Sequence, residues 1–64
     1  MYALKVFHPG EAVARQTHTA TSADEVMRLI PKLLADHPGC ERVEVHSATV
    51  KLFAVDCEGQ RIPD

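Results

Sequence analysis

One stretch sets the terms for the rest of the chain: TSADEVMRLIPKLLADH, residues 21–37, the only long run with helical periodicity. At the helical spacing Ala23, Val26, Met27, Leu29, Ile30, Leu33, Leu34 and His37 share one arc. Asp24, Glu25, Arg28, Lys32, Ala35 and Asp36 share the other, with Asp24–Arg28 and Lys32–Asp36 as i,i+4 pairs. Ser22 and Glu25 have capping-box spacing, and the acidic pair Asp24-Glu25 suits the positive end of a helix. Pro31 breaks the pattern. It removes the bond to the Met27 carbonyl and costs about 3 kcal/mol in a helix interior. Its place at the edge of the polar arc lets water reach that carbonyl, which predicts one kinked helix, with two short helices as the alternative.

A single helix must cover something, and the flanking segments read as strands. Tyr2–His8 alternates around Lys5, and Glu11–Ala20 is a weaker second strand. Pro9-Gly10 between them favours a type II turn inside a wider loop. Beyond the helix, Glu41–Ser47 and Thr49–Asp56 form a hairpin. A turn on Ser47-Ala48 would set Val43 opposite Leu52, Val45 opposite Val50 and Glu44 opposite Lys51, sorting apolar from charged residues. Asp56 and Gly59 have type I turn spacing, and Gln60–Ile62 is an optional short last strand. The expectation is one α+β domain over residues 1–64, two layers in the order β-β-α-β-β, with a Pro-kinked helix on one face of an antiparallel sheet.

Size limits what such a domain can do. With 64 residues, a chain buries only about 60% of its unfolded surface, so disulfides, metals or self-association commonly reinforce the core. Lys and Arg total 7 against a net charge of −2 and are scattered, without the basic face that phosphate binding requires. No segment is apolar enough to span a bilayer, and the first residues lack a secretory pattern. The expected setting is the cytoplasm, where Cys40 and Cys57 would be reduced thiols.

HPG occurs twice, at His8–Gly10 and in HPGC at His37–Cys40. The second reads first as a helix stop: Pro38 cannot continue the helix and Gly39 supplies a permissive backbone. In the expected register Cys40 and Cys57 lie diagonally, about 7–8 Å apart between Cα atoms, just beyond disulfide range. His37, Cys40 and Cys57, with Asp56 near them, are the candidate metal ligands, although reliable zinc signatures pair close-spaced ligands twice. His8, His18 and His46 are expected to lie apart from that group. No nucleophile elbow, P-loop, dinucleotide turn or H-E-x-x-H is present, so neither catalysis nor a cofactor is expected.

The second face of the sheet carries the main functional expectation. Phe7, Arg42, Glu44, Lys51, Phe53 and Val55 are assigned to it, as a partner-binding patch whose apolar members are rimmed by charge. The first and last strands are expected as open edges able to pair across a two-fold axis. The resulting reading is a non-enzymatic protein-interaction module, regulatory or inhibitor-like in format, binding itself as a homodimer and an unidentified protein. The alternative is a metal- or redox-responsive protein using His37, Cys40 and Cys57. A nucleic-acid accessory role stands third.

Overall fold

The computed structural model describes residues 1–63. It contains β1 (Tyr2–Phe7), β2 (Gln16–Ala20), α1 (Ala23–Asp36), β3 (Arg42–Ser47) and β4 (Val50–Asp56). All neighbouring strands are antiparallel, in the order β2-β1-β3-β4. The expected α+β layout is therefore present, with one difference at its edge. β1 is not an edge strand: after the helix the chain returns on its free side, and β3 pairs with it from Tyr2↔Ser47 to Phe7↔Arg42. The edges are β2 and β4.

The helix begins as its residues predict. The backbone N–H of Glu25 donates to Ser22 Oγ at 3.2 Å, and the Glu25 carboxylate accepts from the N–H of Thr21. Pro31 does not divide it; α1 is continuous, and Pro31 lies on its exposed side. Val26, Ile30 and Leu33 are buried, against Leu4, Val6, Ala20, Val43, Val45 and Val55. Met27, assigned to the apolar arc, is 63% exposed. The cause is the helix position: α1 approaches the sheet over β1 and β2. A helix is about 10 Å wide and strands are about 4.8 Å apart, so a helix set over β1 and β2 leaves the farthest strand, β4, only partly covered.

Both HPG tripeptides fold into the same turn. The His8 carbonyl accepts from the N–H of Glu11 and the His37 carbonyl from that of Cys40, each at 3.1 Å. Gly10 and Gly39 have φ of 80° and 79°, the left-handed conformation that a type II turn requires of its third residue. The first turn opens a wide loop, so the strand expected over Glu11–Ala20 begins only at Gln16.

The second hairpin departs from its expected register. Its turn is Ala48-Thr49, one residue later than expected, with Ser47 opposite Val50 and Ala48 at φ 55°. A bulge then leaves Leu52 without a partner: His46 faces Lys51, but Val45 faces Phe53 and Val43 faces Val55. One extra residue reverses the facing of every side chain beyond it. Phe53 and Val55 consequently point to the helix side. Past β4, the N–H of Gly59 closes the expected turn onto the Asp56 carbonyl. The last strand reduces to a single bridge, Val55↔Arg61, with the N–H of Ile62 bonded to the Ala54 carbonyl.

Candidate functional site

The residues assigned to one patch are distributed over two faces. Val55 is 6% exposed within the core, and Phe53 packs against that core with the Arg61 guanidinium 5.1 Å from its ring. Neither belongs to the second face, because the bulge at Leu52 turned them over. Phe7, Arg42, Glu44 and Lys51 remain there. Phe7 needs no partner to leave water: it is 8% exposed, with the Arg42 guanidinium 4.1 Å above its ring. Arg42 also donates to Glu44 at 2.7 Å and pairs with Glu41, and the imidazole of His46 contacts Glu44 at 2.9 Å. Lys51 faces His46 rather than Glu44, which sits between Lys5 and Ala54. The polar groups of Arg42, Glu44 and His46 on this second face satisfy one another.

Burial alone would raise the Glu44 carboxyl, but the hydrogen bonds from Arg42 and His46, with the charges of Arg42 and Lys51, hold it below its ordinary value of 4.5. A lowered carboxylate contributes stability that is present above the ordinary value and lost as pH falls through the lowered one. Glu44→Gln is therefore expected to cost about 1 kcal/mol at neutral pH. Acid titrations followed by circular dichroism should show the wild type losing this advantage below pH 4.5. Parallel acid limbs would refute the assignment.

The apolar surface lies on the helix side. Between α1 and β4 runs a groove lined by Met27, Ile30, Leu34, Phe53 and Val55, with Glu58 and Arg61 at its rim. A second hollow continues it along Tyr2, Val26, Met27, Leu52 and Phe53. Met27 and Leu52, which line these hollows, are 63% and 43% exposed, and Val50 at the start of β4 is 59% exposed. The tail at Gln60–Ile62 covers the edge of β4 only at Ala54–Asp56; Val50–Phe53 have no outer ladder partner among the described residues. Helical periodicity flags Met27, but only the offset helix reveals that it has nothing to pack on.

Just past the end of β4, Cys57 is joined to Cys40 in a disulfide with Cα atoms 5.4 Å apart. The expectation of two reduced thiols just out of range fails for the same reason as the register: the later turn and the bulge together move Arg42 from opposite Phe53 to opposite Asp56, which brings Cys57, the next residue, within reach of Cys40. The metal set His37, Cys40 and Cys57 is not assembled, since each sulfur is bonded to the other and the Asp56 carboxylate accepts from the N–H groups of Glu58 and Gln60. Among the described residues no three His, Cys, Asp or Glu side chains converge in metal-binding geometry. Two histidines expected to lie apart do meet. His8 Nε2 is 3.2 Å from His37 Nδ1, and His37 Nε2 is 2.6 Å from Gln16 Oε1. His18 lies on the helix side with Nε2 unpartnered, and His46 stays on the second face. No helix among the described residues is long and apolar enough to cross a membrane. No family model matches the chain, and neither a curated protein nor a solved structure matches it.

Proposed function

We propose that the chain is a small non-catalytic protein-interaction module that self-associates through the helix side of β4, not through the second face of the sheet. The observation that carries this is the uncovered first half of β4: one helix set toward β1 and β2 leaves Leu52, Phe53 and Met27 around open apolar hollows. The favoured occupant is a second copy. Met27 protrudes beside the hollows it helps to line, so one patch carries both a knob and a hole, as a two-fold interface requires. The uncovered backbone of Val50–Phe53 adds an edge that can pair with its own symmetry mate.

Native mass spectrometry and light scattering at micromolar concentration are expected to find a dimer. Leu52→Glu and Met27→Glu should each weaken it at least about tenfold, ~1.4 kcal/mol, while leaving the circular dichroism unchanged. A wild type that stays monomeric at millimolar concentration refutes self-association. A regulatory or inhibitor-like role would follow from capture of a further protein on this patch. The disulfide favours a second reading, redox responsiveness, and argues for a non-reducing setting over the cytoplasm.

A further inference from the structure

We propose that His8 and His37, the histidines of the two HPG turns, form a chelate for a borderline divalent transition metal such as zinc. The inference is independent of self-association. It rests on three observations. The first is spacing. Two ligand nitrogens about 2.0–2.1 Å from a tetrahedral zinc are about 3.3–3.4 Å apart, and His8 Nε2 and His37 Nδ1 are 3.2 Å apart.

The second is the tautomer. Gln16 Oε1 is an acceptor, so His37 Nε2 carries the proton it donates across 2.6 Å. That leaves the Nδ1 lone pair aimed at His8, whose Nε2–H then fills the gap. A metal takes the place of that proton: His8 changes tautomer through solvent, its proton passing from Nε2 to Nδ1, and both nitrogens then present lone pairs to the ion. Gln16 keeps its bond and orients the His37 ring, the supporting role that an acceptor beside a metal-bound imidazole ordinarily has.

The third is placement. Both imidazoles are half-buried, so water reaches the ion and completes its shell after a small rotation of each ring. The hard cations calcium and magnesium, which take oxygen ligands, should not compete.

The pair also bridges elements far apart in the chain: His8 follows β1 and His37 ends α1. Metal bound to this pair therefore stabilises the fold by mass action, because the unfolded chain lacks the preformed pair.

The test uses the oxidised protein, so that thiolates take no part. Titration with Co(II), displaced by Zn(II), is expected to give one ion per chain by absorption and calorimetry. Saturating zinc should raise the melting temperature by at least about 4 °C. His8→Gln and His37→Gln, each checked for a native circular dichroism spectrum, should weaken binding at least tenfold and abolish the rise. Gln16→Ala should weaken binding several-fold while keeping the stoichiometry. The proposal is overturned if millimolar zinc neither binds nor stabilises the wild type. It is equally overturned if either histidine variant binds as the wild type does, which would move the ion to His46, His18 or an adventitious surface group.

Discussion

Reducing the Cys40–Cys57 bond is expected to destabilise the chain by about 3 kcal/mol, the loop-closure entropy of a segment this size. The two cysteines are 17 residues apart and tie the start of β3 to the turn after β4. At roughly 0.05–0.15 kcal/mol per residue, a chain of 64 residues has a total stability of only about 3–10 kcal/mol. The bond is thus a large share of the whole. Its loss should lower the melting temperature by about 12–24 °C, taking 4–8 °C per kcal/mol for a domain of this size. Cys57 is half-buried and Cys40 is 7% exposed, so a thiol reductant reaches the bond from the Cys57 side. Urea and thermal unfolding with and without reductant, beside the Cys40→Ser/Cys57→Ser variant, measure the effect. Superimposable curves would mean that the bond contributes nothing to the folded state.

The second large effect separates the two registers of the β3–β4 hairpin. Val55→Glu is expected to unfold the protein, or to cost about 3–5 kcal/mol, because it places an uncompensated carboxylate in the core. Val50→Glu, at a position 59% exposed, should change stability by no more than about 0.5 kcal/mol. The register with its turn on Ser47-Ala48 requires the reverse, with Val50 inward and Val55 wet. One pair of urea titrations decides. A silent Val55→Glu beside a crippling Val50→Glu would restore that register and remove the groove beside Met27.

The histidines and cysteines show where local reading stops. Each HPG was legible as a bend, and both are type II turns, because Pro sets φ and Gly accepts a positive one regardless of surroundings. Nothing in either tripeptide says that the two turns are neighbours. That follows from β3 pairing with β1, which brings the helix end to the end of the first strand; the N–H of Glu41 bonds to the Phe7 carbonyl there. The meeting of His8 with His37, and of Cys40 with Cys57, depends on pairings between segments far apart in sequence.

What the sequence determined by itself was whatever a few neighbouring residues decide: the capped helix from Ser22 to His37, the two Pro-Gly turns and the β-β-α-β-β order around a single helix. Those follow from periodicity, capping and backbone preference, which act within one or two turns of chain. The tertiary structure alone decided the order of the strands, the bulge at Leu52, the closing of the disulfide and the offset of the helix toward β2. One unpaired residue in an edge strand is enough to exchange a core face for a wet one. Its cost and its benefit are both paid in contacts with other elements, and these the local sequence does not contain.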